Sequence, residues 1–89
     1  TLTIYTTHTC PFCKMEKAFL ESRQVEYKEI FVDADEAERD RMVELTGQRG
    51  VPVTILAYEG GAKTYFIGFQ EDLLEQALQG QKVGQQLIG

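Results

Sequence analysis

An α/β fold, a four-stranded mixed sheet flanked by helices on both faces, is what this sequence predicts, and three observations carry it. Runs rich in β-branched and aromatic residues at 2–6, 25–32, 51–56 and 64–67 alternate with three stretches of helical spacing, in the order βαβαββα. The first two strands are joined through a helix, which makes them parallel with a right-handed crossover. The short Gly60-Gly61 connection makes the last two antiparallel.

Each element has a local cause. Leu2 and Ile4 alternate with Thr3 and Tyr5, a strand pattern, and Thr7-His8-Thr9 is a polar connector. Pro11 opens the first helix, where its missing N–H costs nothing. From there to Ser22, Phe12, Met15, Ala18 and Phe19 are expected on the buried face, and Lys14, Glu16, Lys17 and Glu21 mostly on the solvent face. Tyr27, Ile30, Phe31 and Val32 give the second strand its β character. Asp33 has capping-box spacing to Glu36, and Asp35 is an alternative cap for the second helix. Met42, Val43 and Leu45 form that helix's core face, and Gly47 stops it. Pro52 is tolerated only at the start of the third strand. Gly68 breaks the fourth, and Glu71 and Asp72 fall in the first turn of the last helix, where acidic side chains are favoured. Leu73, Leu74, Ala77 and Leu78 are its apolar stripe, and Gly80 ends it. This divides the chain into a domain over 1–80 and a polar tail, 81–89, that reads as loose or accessory.

Composition narrows the function classes. The 89 residues suffice for one modest core, and 43% hydrophobic with 26% charged content is ordinary for a soluble globular domain. No run is long enough to span a bilayer, so no membrane role is expected. No secretory signal is visible, although position 1 is Thr1 and a removed signal stays open. With 14 acidic against 9 basic residues and no basic-aromatic patch, no nucleic-acid partner is expected.

The 2 cysteines, Cys10 and Cys13, sit at a strand-to-helix junction beside a βαβ pattern, which reads as a thioredoxin-like redox site. A helix N-terminus carries unpaired N–H groups and about half a positive charge, so a sulfur placed there ionises more easily. A ring this small makes a poor staple, which argues for a working dithiol in a reducing, cytoplasmic setting.

Taken together, the strand followed by Cys10-Pro11-Phe12-Cys13, the segment Thr46-Gly47-Gln48-Arg49-Gly50-Val51-Pro52, and Gly68 followed by Asp72-Leu73 resemble the glutaredoxin branch of the thioredoxin superfamily. The likeness covers residues 1 to about 80. It implies a thioredoxin-like fold and a cis peptide before Pro52, rare outside purposeful positions. It also implies that the Val51 N–H and C=O pair with the backbone of glutathione or a substrate segment, as an added strand does. By the same resemblance Gly68, Glu71 and Asp72 belong to the glutathione site. The two acidic residues would meet its amino group, although capping alone also explains them, and Arg39 falls near the position that meets its glycine carboxylate. Three departures count against glutathione. Thr7 stands where the family commonly has lysine, Gly50 where threonine usually precedes Val-Pro, and Phe69 where a second glycine often follows Gly68. The Gly68-Phe69 form is similar to NrdH-type redoxins, usually reduced by thioredoxin reductase, whose active sites generally lack the Pro-aromatic centre found here.

The resemblance implies a dithiol–disulfide oxidoreductase acting on protein or glutathione mixed disulfides. Cys10 is assigned as the nucleophile, its sulfur accepting N–H groups around Phe12 and Cys13, and Cys13 as the resolving thiol. Glutaredoxin potentials of about −200 to −230 mV place it on the reductant side. Pro11 stiffens the motif, and Phe12 is either an exposed substrate contact or a partly buried ring. Lys14 either adds positive field near Cys10 or is simply solvated. His8 invites a Cys–His reading that a dithiol mechanism does not need. His8, Cys10 and Cys13 make three of the four ligands a closed zinc site requires, so a metal site is not expected. The expected protein is a monomer with no permanent cofactor, using glutathione as reducing co-substrate. The alternatives are an NrdH-like partner of thioredoxin reductase, or a dimeric metal or iron–sulfur carrier, which Cys13 argues against.

Overall fold

The computed structural model describes residues 2–81 and 83–86. The chain order is β1 (Leu2–Thr6), α1 (Pro11–Ser22), β2 (Lys28–Phe31), α2 (Glu36–Thr46), β3 (Val53–Ala57), a 3₁₀ turn (Glu59–Gly61), β4 (Lys63–Ile67), α3 (Glu71–Leu78) and β5 (Gln85–Gln86). The sheet runs β2-β1-β3-β4-β5. β1 and β2 are parallel, with Ile4 opposite Glu29, while β1–β3 and β3–β4 are antiparallel. This is the expected mixed sheet of four strands in a thioredoxin-like arrangement, extended at one edge by the two-residue β5 against Thr64 and Tyr65.

Strand alternation divides the core into two layers. On one face Leu2, Ile4, Leu56 and Phe66 pack with Leu20 of α1 and Leu74 of α3. On the other, Tyr5, Val32 and Val53 pack with Met42 of α2. Thus α1 and α3 cover one side and α2 the other.

Local signals explain most boundaries. The α1 cap is Cys10, extended at φ −99° and ψ 109°, followed by proline. Between the two candidates for α2, Asp35 is the cap, accepting from the Glu38 N–H at 3.1 Å. Gly47 ends α2 at φ 74°, a left-handed conformation glycine adopts without steric cost.

Four expectations are corrected. The buried face of α1 is Cys13, Glu16 and Leu20, while Phe12 (59% exposed) and Met15 (51%) face outward. The helix is rolled from the face its apolar residues suggest, because Cys13 and Leu20 meet the sheet and Phe19 is only half-buried. On α2, Met42 alone is fully buried, with Val43 and Leu45 at its margins. β2 begins at Lys28 and not at 25, since Val25 and Tyr27 pack onto the core as part of the approach loop. The tail is not loose throughout. Val83 is buried in the α1/α3 layer and Gln85 pairs with Tyr65, while residues 82 and 87–89 lie outside the described residues.

Candidate active site

The site is built where β1 hands over to α1. Starting the helix at Pro11 leaves Cys10 in the cap position, with its sulfur beside the unpaired N–H groups of the first turn. The Cys13 N–H donates to Cys10 Sγ at 3.1 Å. The two cysteines are disulfide-bonded, their Cα atoms 5.2 Å apart. Cys10 keeps 8% exposure and Cys13 has none, so an incoming disulfide meets the first sulfur and not the second. A thiolate at Cys10 would be favoured by the N–H donor and by the helix dipole together.

A second segment approaches from β3. The Val51–Pro52 peptide is cis. The Val51 carbonyl oxygen lies 3.8 Å from Cys10 Sγ. Pro52 is buried, and its carbonyl accepts from the Gly68 N–H at 2.7 Å, which brings the end of β4 to the same place. Cys10, Cys13, Val51, Pro52 and Gly68 are therefore assembled from positions up to 58 residues apart (68 − 10). Pro11 and Phe12 are exposed beside them, so of the two readings for Phe12 the exposed ring is the one observed.

The other candidates are placed differently. Glu71 and Asp72 are exposed in the first turn of α3, as expected from their dipole preference, three and four residues past Gly68. Among the described residues neither makes a side-chain ion pair or hydrogen bond. Arg39 lies against Glu36 (3.5 Å) and Asp40 (3.6 Å) of its own helix. His8 is committed to Asp33. Its backbone N–H donates to Asp33 Oδ2 at 3.0 Å, its Nδ1 lies 2.9 Å from the same oxygen, and its ring stacks on Phe31 at 4.1 Å. These His8 contacts hold the Asp33 carboxyl below its ordinary pKa. The pairing pins the β1–α1 connector and accounts for His8 without a role at sulfur.

Sequence reasoning missed Glu16. It is fully buried on the α1 face that carries Cys13, and Thr54 Oγ1 of β3 donates to its Oε2. Its Oε1 has no hydrogen-bond partner among the described residues. Burial pushes its pKa up to about 7, with the Thr54 hydrogen bond opposing. The signal in the sequence was its position three after Cys13, which places both on one helical face.

Fold and site define a thioredoxin-superfamily protein with a redox-active dithiol at a helix cap. The glutaredoxin family model matches residues 2–57, more than half of the chain. The chain is 44% identical over 50 residues to a glutaredoxin-like 8.6 kDa protein of the Clostridium pasteurianum rubredoxin operon, covering 56% of this chain and 67% of that one. It is 41% identical over 49 residues to glutaredoxin 3 of Escherichia coli K12, covering 55% of this chain and 59% of that protein. The solved structure of E. coli NrdH-redoxin, a glutaredoxin-like protein with a thioredoxin-like activity profile, superimposes with a TM-score of 0.71 at 27% identity, covering 84% of this chain and 91% of that one. The match spans about three-fifths of the E. coli glutaredoxin's length. This chain belongs to the glutaredoxin family. The family's members are thiol–disulfide oxidoreductases, and the chain carries their Cys-x-x-Cys pair.

Proposed function

We propose that this protein reduces protein or glutathione mixed disulfides through Cys10 and Cys13, as a cytoplasmic monomer with glutathione as electron donor. The observation that carries the reading is Cys10 at the cap of α1, receiving the Cys13 N–H at 3.1 Å with Val51 O 3.8 Å away. The Cys10 thiolate attacks a substrate disulfide, that S–S bond breaks, and a Cys10–substrate disulfide forms. Cys13 then attacks Cys10 Sγ, which releases the substrate as a thiolate that takes a proton from water. The Cys10–Cys13 disulfide is left, and two thiols of the donor reduce it. Val51 at the sulfur supplies an N–H and C=O to line up the arriving peptide, with Pro52 and Gly68 holding that segment in place. Glu71 and Asp72 would meet the amino group of glutathione, and Arg39 its glycine carboxylate.

A second reading, with thioredoxin reductase as the donor, is favoured by Phe69. Its ring packs edge-on against Phe19 at 6.1 Å, beside Gly68, and Thr7 supplies no cation for a glutathione carboxylate. Two NADPH-coupled assays separate the readings, one through glutathione and glutathione reductase and one through thioredoxin reductase. Turnover in the first alone supports the proposal, turnover in the second alone replaces its donor, and turnover in neither refutes both. In the Cys13→Ser variant mixed disulfides should accumulate on Cys10. Accumulation in Cys10→Ser but not in Cys13→Ser would reverse the assignment.

A further inference from the structure

We propose that Glu16 is the proton-exchange partner of Cys13, accepting the thiol proton when Cys13 attacks Cys10 and returning it when the disulfide is reduced. The inference rests on the dithiol reading above. A carboxyl without solvent exposure is costly to keep unless something uses it. Its Oε2 is satisfied by Thr54, while its Oε1 has no partner, which is uncommon for a buried polar atom and calls for a reason. Cys13 lies one turn earlier on the same face, also with no exposure. Helix neighbours at this spacing have Cβ atoms about 5–6 Å apart, within reach of a direct or singly water-bridged proton transfer. Cys13 also has the greater need. Cys10 has the helix cap to favour its thiolate, whereas a fully buried thiol is raised by desolvation and is a poor nucleophile until a base takes its proton.

The surroundings leave Glu16 free for this role. Beneath α1 the sheet face presents Ile4 and Thr6 from β1, Thr54 and Leu56 from β3, and Phe66 from β4, none of which carries a charge. Of the charged groups on this side, Glu29 and Glu75 are paired, while Lys14, Glu71 and Asp72 are exposed to solvent. Glu29 of β2 meets Lys17 at 2.8 Å and accepts from Thr6 Oγ1 at 2.7 Å. Glu75 of α3 is bound to Arg23 beyond the far end of α1. Burial and Thr54 set the affinity of Glu16 for its proton, leaving the carboxyl poised near neutrality.

The step balances as follows. The Cys13 S–H proton moves to a Glu16 carboxylate oxygen, and the Cys13 sulfur attacks Cys10 Sγ. The Cys10–substrate S–S bond breaks, and its electron pair leaves on the substrate sulfur. Cys13 and Cys10 end oxidised, the substrate thiol reduced, and Glu16 protonated. In the return direction a donor thiolate attacks Cys10 Sγ, and Cys13 leaves as a thiolate that takes the Glu16 proton.

The test is the reaction of reduced protein with 5,5′-dithiobis(2-nitrobenzoate) from pH 5 to 9. Attack by Cys10 releases one thionitrobenzoate, and resolution by Cys13 releases the second. In the native protein the second phase should rise with pH and bend near 7. In Glu16→Gln it should be slower by about tenfold or more at pH 7, since a positioned base is worth at least that, and should rise without the bend. A second phase in Glu16→Gln within twofold of the native protein at every pH overturns the proposal while leaving the dithiol reading intact. Absence of a Cys13-dependent second phase in the native protein overturns the dithiol reading itself. If Glu16→Gln fails to fold, NMR titration of the native Glu16 carboxyl decides the matter. Coupled titration with Cys13 predicts different midpoints in the reduced and oxidised proteins, and identical midpoints overturn it.

Discussion

Replacing Glu16 with glutamine should stabilise the oxidised protein at neutral and alkaline pH, by an amount the burial sets. Glu16 has no exposed surface, and its pKa is pushed from the ordinary 4.5 to about 7. The folded protein therefore holds the proton more tightly than the unfolded chain does. Its stability contribution is complete below about pH 4.5 and is lost as pH rises to 7, where the carboxyl must ionise in place. A displacement of that size corresponds to about 3 kcal/mol above pH 7. Glutamine has nearly the same shape, keeps an oxygen to accept from Thr54, and never ionises. The variant should gain up to about 3 kcal/mol over the native protein at pH 8 and nothing at pH 4. For a domain this small the gain is a rise in Tm of up to about 12–24 °C. The assay is thermal unfolding by circular dichroism at pH 4 to 8, with the disulfide intact so that Cys13 does not titrate. The native-minus-variant difference cancels the other carboxylates. A difference that does not change between pH 4.5 and 7 would refute the reasoning, because it would mean Glu16 is not desolvated.

Three further outcomes follow from packing. Met42→Ala removes the single fully buried side chain of α2 and should cost about 2–5 kcal/mol in urea denaturation; a loss under 1 would show that α2 does not seal that face. Gly84→Ala should destabilise the β4–β5 edge, because a Cβ there falls 2.6 Å from the Tyr65 carbonyl oxygen in a φ +86° conformation. Faster amide exchange at Tyr65 and Gln85 would register it, and unchanged exchange would refute it. Phe12→Ser removes a ring that is 59% exposed, so stability should move by no more than about 0.5 kcal/mol. KM for a protein disulfide should rise, and an unchanged KM would remove Phe12 from the substrate contact.

Much of the site was legible because its signals are local. Cys10-Pro11 is a cap followed by proline, so the helix start and the placement of Cys10 Sγ follow from three adjacent residues. The cis peptide at Pro52 was implied by the resemblance and is present. The choice between Asp33 and Asp35 was not legible. Both suit a cap, and what separates them is the engagement of Asp33 by His8, 25 residues away. The buried face of α1 was misread for a related reason. Four apolar residues at helical spacing pointed one way, but the helix is rolled so that Cys13, Glu16 and Leu20 meet the sheet while Phe12 and Met15 face outward. Val83 was overlooked because a lone valine among polar and glycine residues has no periodicity.

What the amino-acid order alone determined was the chemistry and the elements: a strand, a capped helix bearing two thiols, and a mixed sheet. Propensity, capping and alternation act over a few residues and can be read within them. What only the tertiary structure decided was which groups desolvate one another. Glu16, between Met15 and Lys17, carries no mark of burial beyond its spacing to Cys13 until Thr54, 38 positions away, closes over it. The pKa of a carboxyl depends on the solvent it has lost and the partners it has met, and those are set by the packing of α1 on β3.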